Sequence, residues 1–376
     1  MKVNLCIILS VMQSTYDITS SYEENYQKGP FIGTAFPPIE AAPFGDTIPK
    51  QNFLGFPVHS RLGIPAGPLL NANWILAYAA FGFDLLVYKT VRTIATPSHP
   101  APNCVFLQTK GLLQEDDFGK RLLAAEHAPT TLEEVSITNS FGMPSRDPKI
   151  WQADVEKAKS GLALRGAGQV LIVSVSGTPE QGDLASDYAK GAALAVEAGA
   201  DIIEINLSCP NVVSGEGSIY ADPHFSSKIS KAVKQAIGPV PLIIKIGYLR
   251  DKEKLAQVVK ANVPYVNAIS GLNTLSFEVV NSDGTSALPG RLRSGVCGSA
   301  IRGCAMDQAR RLITLREKER YDFSIVGVGG VMTAKHIQQF LDLGLDAVMS
   351  ATGAMWNPHL AYQHWKDNVV CDKKGI

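Results

Sequence analysis

Two carboxamides flank a thiol in the run Asn206-Leu207-Ser208-Cys209-Pro210-Asn211. An amide donates and accepts at once, so a pair of them can hold a polar planar ring. A thiol between them can act as base or nucleophile once its pKa is adjusted. A lone cysteine is more often an inert buried hydrophobe, but an apolar core has little use for the asparagines. Two lysines close apolar runs: Lys89 ends Leu85-Leu86-Val87-Tyr88-Lys89, and Lys245 ends Pro241-Leu242-Ile243-Ile244-Lys245. A lysine there is costly unless it is paired or functional. Rim salt bridges are the plain alternative, but two lysines at equivalent strand ends favour an anionic ligand.

Gly327-Val328-Gly329-Gly330 precedes a predicted helix, and Ala351-Thr352-Gly353 follows a predicted strand. Exposed N–H groups at such turns bind phosphate without a charged side chain. Asn139-Ser140-Phe141-Gly142-Met143-Pro144 and Asn267-Ala268-Ile269-Ser270-Gly271 bring two more asparagines toward the same mouth. The seven histidines show no His-x-x-x-His spacing, so no metal site is expected. The six cysteines contain no Cys-x-x-Cys pair, which argues against an internal iron–sulfur cluster or zinc ribbon.

These residues need a scaffold that gathers strand ends. Eight strands are predicted, over 63–66, 84–89, 170–176, 201–207, 241–246, 264–269, 324–328 and 346–351. Most are continuous apolar runs, as expected for parallel strands buried on both faces. Helical spacing separates them over 73–81, 179–198, 225–237, 251–261, 305–315, 334–343 and 359–367. The first turn, Gly63-Ile64-Pro65-Ala66-Gly67-Pro68, lacks the Gly-x-Gly-x-x-Gly of a doubly wound sheet. The expected fold is therefore α/β, a (β/α)8 TIM barrel. It carries an N-terminal extension over 1–51, and the barrel itself spans 52–376. Two insertions, 90–168 and 271–301, leave C-terminal strand ends, where barrel enzymes build their sites.

The chain has 376 residues, with 35 Lys+Arg against 35 Asp+Glu. Zero net charge excludes bulk attraction to nucleic acid or anionic lipid. A 45% hydrophobic content excludes a disordered chain. Scattered thiols fit a reducing compartment, and the cytoplasm is the expected location. The apolar run Leu5 to Met12 is followed by Gln13-Ser14-Thr15-Tyr16-Asp17, with no small-residue cleavage site. It is too short to span a bilayer and is a candidate for weak membrane or partner contact.

The Asn-x-Ser-Cys-Pro-Asn run and the Asn-Ser-Phe-Gly-Met-Pro run resemble the dihydroorotate dehydrogenase family of FMN-dependent barrels. The likeness spans about residues 52–367, and the pyrimidine-reducing domain of dihydropyrimidine dehydrogenase is a related flavin barrel. Cysteine at 209 resembles the soluble class, whereas the membrane-associated, quinone-using class carries serine. The resemblance implies oxidation of dihydroorotate to orotate in pyrimidine biosynthesis. Hydride leaves C6 for flavin N5, and Cys209 takes the C5 proton.

By the same resemblance, Asn139, Asn206, Asn211 and Asn267 hold the pyrimidine, and the backbone of Gly142 and Met143 meets its carboxylate. Lys89 sits beside flavin and substrate, and Lys245 approaches the flavin N1–O2 edge. Ala66, Gly67, Ser174, Gly298, Gly329, Gly330, Ala351, Thr352 and Gly353 line the FMN. A homodimer is a further expectation. The acceptor is left open among fumarate, quinone and NAD, the last needing a separate iron–sulfur partner.

Two departures stand out. The family has Asn-Ser or Asn-Thr at the end of strand six, where Ala268 here lacks the hydroxyl. That points to an alternative substrate, a uracil-like ring or another enone. The long N-terminal extension resembles the docking helices of the quinone-using class. A tRNA-dihydrouridine synthase would need a basic RNA surface, which a neutral chain does not show. A non-enzymatic flavin-binding barrel is the remaining alternative.

Overall fold

Parallel strands pair in sequence order around a closed barrel: β1 (Leu62–Ile64), β2 (Leu85–Val91), β3 (Val170–Val175), β4 (Ile202–Asn206), β5 (Leu242–Ile246), β6 (Ala268–Gly271), β7 (Ser324–Val328) and β8 (Ala347–Met349). This computed structural model describes residues 13–34, 36–37, 51–109, 111–166, 168–207 and 219–372, with side chains as far as 367. Outward residues such as Ile64, Leu86, Val173, Ile205 and Ile244 pack under the helices. Inward residues such as Leu85, Val87, Ile172, Ile202 and Ile243 form a separate core inside the barrel. Burial on both faces is why the strands read as continuous apolar runs. Alternation then carries Lys89, Ser174, Glu204, Asn206 and Lys245 to the interior, nearer the C-terminal strand ends.

The helices are α1 (Tyr22–Lys28), α2 (Ala72–Ala80), α3 (Pro148–Arg165), α4 (Leu184–Glu197), α5 (Pro223–Ile237), α6 (Lys252–Asn262), α7 (Arg302–Glu319), α8 (Ala334–Asp342), α9 (Thr352–Trp356) and α10 (Leu360–Asp372). Side chains of Asp183, Asp222, Asp251 and Thr333 cap α4, α5, α6 and α8. Helix α3 lies inside the stretch expected to be insertion alone. Its signal was local: Asp147 caps it, Pro148 starts it, and Trp151, Val155, Ala158 and Leu162 bury one face.

Strand β6 begins later than the apolar run suggested. Residues 264–267 precede it, and the Asn267 side-chain oxygen Oδ1 accepts from Leu242 N at 3.0 Å, beside the start of β5. The strand therefore ends two residues further on, and Leu272-Asn273-Thr274 leave it at the mouth.

The two insertions join each other. Cys104–Gln108, Arg121–Ala124 and Ser136–Asn139 from the first close with Leu275–Val280 and Arg293–Gly298 from the second into a small five-stranded sheet. An Arg121–Glu278 ion pair at 2.7 Å marks its one parallel seam. At the opposite end, a hairpin (Gln51–Phe53 with Phe56–Val58) inserts Phe53 and Val58 into the interior core. No helix among the described residues is long and apolar enough to cross a membrane.

Candidate active site

A cavity of about 450 Å³ opens at the C-terminal strand ends. That size suits a small organic ligand. Barrel strands form its floor, and one wall is the sheet built from the insertions. From the strands and their exits come Ala66, Gly67, Lys89, Asn206, Lys245, Asn273, Gly329, Gly330, Ala351, Thr352 and Gly353; from the sheet and its loops come Asn139, Gly142, Met143, Cys297 and Gly298.

Lys89 and Lys245 are 7% and 3% exposed. Lys89 donates to the carbonyls of Pro144 and Thr90. Burial, with Arg92 and Arg146 nearby, draws its pKa down from 10.5 to about 7. Lys245 makes no side-chain hydrogen bond to a described residue, although it lines the cavity. One register step below it lies Glu204, paired in the ladder with Ile243. Burial raises the Glu204 carboxyl, and Lys245 and Ser174 oppose that rise.

The carboxamides converge. Asn273 Nδ2 donates to Asn206 Oδ1 at 3.5 Å, and Asn206 Nδ2 donates to Thr90 Oγ1 at 3.3 Å. Asn139 Nδ2 donates to the Gly295 carbonyl and the Cys297 sulfur, both at 3.3 Å. The loop carrying Gly142 and Met143 turns through left-handed conformations, at φ 76° and 48°. A Cβ at 142 would also strike His99 Nε2 at 2.7 Å, so only glycine fits there. Arg92 Nε holds the same loop through the Met143 carbonyl at 3.3 Å.

Two expected site residues lie elsewhere. Asn267 is at the base of the barrel, where its amide oxygen serves Leu242 N and Lys234 Nζ. The asparagine at the mouth of β6 is Asn273, followed by Thr274. Ala268 belongs to the interior core, so its missing hydroxyl removes nothing from the site. Ser174 is buried within β3 and meets Thr90 Oγ1 at 3.1 Å, beneath the cavity rather than in its lining. Cys209 and Asn211 lie outside the described residues, as does the apolar run from Leu5 to Met12.

Sequence reasoning missed Thr90, Arg92, Asn273, Thr274, Tyr16 and Tyr22, all of which line the cavity. The Asn-Thr pair just past Gly271 was a usable signal. Nothing local in 13–34 pointed to the barrel mouth.

The residues present suit a flavin. A Cβ on Gly67 would meet no protein atom within 4 Å, so the cavity has open space beside that backbone. Lys245, with no side-chain hydrogen bond to a described residue, offers a cation to an electron-rich ring edge. The Gly329–Gly330 turn, at φ 124° and 70°, faces the cavity beside Thr352 and Gly353 at the start of α9.

Comparison with known proteins places the chain in a family. Residues 50–369 match the dihydroorotate dehydrogenase family. A dihydroorotate dehydrogenase of Dictyostelium discoideum is 38% identical over 362 residues, covering 94% of this chain and 96% of that protein. The NAD(+)-type B catalytic subunit of Methanocaldococcus jannaschii is 25% identical over 65% of this chain and 76% of its own length. In fold, the chain resembles the crystal structure of DHODH from Eimeria tenella in complex with ferulenol. The TM-score is 0.70 at 16% identity, covering 91% of this chain and 89% of that one. The chain thus belongs to the dihydroorotate dehydrogenase family and is an oxidoreductase of that kind.

Proposed function

We propose that the protein oxidises dihydroorotate to orotate in pyrimidine biosynthesis, with FMN held in the cavity at the barrel mouth. The observation that carries this is the convergence of two buried lysines with Asn139, Asn206 and Asn273 on one cavity. When bound, FMN supplies the acceptor for the hydride leaving C6 of the substrate.

The chain's own residues do the rest. The carboxamides fix the ring and hold its carbonyl and N–H groups in register. Lys89, reinforced by Arg92, receives the substrate carboxylate. Lys245 stabilises negative charge at the cofactor edge. Glycines 329, 330 and 353 present backbone N–H groups to the cofactor phosphate. Thr274 brings to the mouth the hydroxyl that Ala268 lacks, which favours dihydroorotate over a uracil-like ring.

The base is Cys209. Burial raises the Cys104 thiol and pushes Cys297 up to about 11. Neither is ready to take a proton near neutral pH. In sequence Cys209 follows Asn206, the last residue of β4, by three positions. Pure protein should be yellow and bleach anaerobically on adding dihydroorotate. Protein that takes up no FMN, or bound flavin that dihydroorotate cannot reduce, refutes the assignment.

A further inference from the structure

The segment 13–34 is no part of a barrel, yet it forms part of the cavity wall. Thr15 N donates to the Met355 carbonyl at 2.8 Å, and Thr15 Oγ1 meets Tyr78 OH at 2.7 Å. Ser21 and Glu24 cap α1 reciprocally. Asn71 Nδ2 bonds the Tyr26 carbonyl at 2.8 Å. Arg146 pairs with Glu23 at 2.6 Å and lies over the Tyr26 ring at 4.2 Å. These ties seat α1 so that Tyr22, 6% exposed, lines the cavity with its ring 5.3 Å from Lys89 Nζ.

The surroundings of Lys89 show what that ring does. Its two hydrogen-bond acceptors are neutral carbonyls. The charged groups acting on it, Arg92 just past the end of its strand and Arg146 before α3, share its sign. Tyr16, Tyr22, His99, Cys104 and Cys297 are the other titratable groups lining the cavity, with Lys245 three strands round the barrel. No carboxylate pairs with Lys89 among the described residues. The electron-rich face of Tyr22 therefore complements the ammonium.

We propose that Tyr22 is a positioning residue for Lys89, its ring holding the ammonium charged and aimed at a carboxylate in the cavity. The N-terminal segment thereby completes the anion-binding side of the site. This rests on the dihydroorotate reading.

The test uses FMN-loaded full-length protein and orotate as probe, with binding followed by the absorbance of bound flavin from about pH 6 to 9. Replacing Tyr22 by Leu keeps the apolar cover and removes the ring. Tyr22→Leu should weaken orotate roughly three- to tenfold and move the alkaline loss of affinity roughly half to one pH unit lower. FMN content should not change. Tyr22→Phe should stay within about twofold of wild type, with no shift. Wild-type affinity and pH midpoint in Tyr22→Leu overturn the proposal. So does a Phe variant that falls as far as Leu, because the hydroxyl would then be the working group. If the Leu variant fails to fold, Tyr22→Met is judged by the same criteria. Wild-type protein that binds neither FMN nor orotate sinks the underlying reading instead.

Discussion

Anion binding at Lys89 should be coupled to uptake of a proton, and the structure sets the size of that coupling. In the unliganded site the amine titrates at about 7 rather than 10.5, first through burial and then through Arg92 and Arg146. A shift of that size corresponds to about 5 kcal/mol in favour of the neutral form. A carboxylate in the cavity reverses the preference, because it supplies the opposite charge that the buried lysine lacks. Below pH 7 the site is already cationic, and binding needs no proton. Above it, binding must first protonate the amine, so the apparent Kd scales as 1 + 10^(pH − 7).

Between pH 7 and pH 9 that factor rises from about 2 to about 100, roughly a fiftyfold loss of affinity. Orotate titrated into the FMN-loaded protein measures it directly. Calorimetry in two buffers of different ionisation heat should show nearly one proton taken up at pH 9. Lys89→Met should bind weakly at pH 6 and give a flat profile. Cys209→Ala must keep the slope, which separates the lysine from the thiol. A wild-type profile flat to pH 9 refutes the argument, as does a slope that survives in Lys89→Met.

Asn273→Ala should weaken orotate by roughly two- to tenfold, whereas Asn267→Ala should leave ligand binding intact and cost about 1 kcal/mol of stability; the reverse pattern would return Asn267 to the mouth. Cys209→Ala should keep FMN yet lose at least about a hundredfold in the rate of flavin bleaching by dihydroorotate, while Cys297→Ala should lose less than about tenfold; equal losses would undo the choice of base. Asp84, 1% exposed, is pushed up to about 7 by burial, so its neutral form is favoured in the folded state. Its stabilisation is full below about pH 4 and is lost as pH rises to about 7, by at most about 4 kcal/mol. Denaturant titrations should show Asp84→Asn gaining on wild type across that window and holding its gain above it; a gap independent of pH would contradict the buried-acid account.

The barrel was legible because each strand announces itself locally. Burial on both faces gives β4 and β5 apolar runs that end at Asn206 and Lys245, and those two residues are level in the ladder. The same register shows how β6 was misplaced. Ser270 pairs with Lys245, so Asn267 must lie three residues toward the base. The apolar run there begins in the preceding loop, and hydropathy alone cannot separate loop from strand. Levelling the strand ends against one another would have pointed to Asn273 and Thr274. The remaining omissions are non-local. Tyr22 reaches Lys89, and Glu278 reaches Arg121, only through packing between distant segments. No periodicity in either segment encodes such pairings.

Zero net charge conceals an uneven site. The cavity lining carries Lys89, Arg92 and Lys245 and, among the described residues, no aspartate or glutamate. Glu204 lies one layer below, and its burial favours the neutral acid. The positive potential of the site therefore comes from a few desolvated cations rather than from the field of the whole molecule. Such cations are costly while unpaired, which is why Lys89 leans toward its neutral form. They are best satisfied by ligands that bring negative charge with them, as a flavin phosphate and an orotate carboxylate both do. The N-terminal segment belongs to that balance, since Tyr22 offers Lys89 a face of opposite polarity without adding a carboxylate that would compete with the substrate.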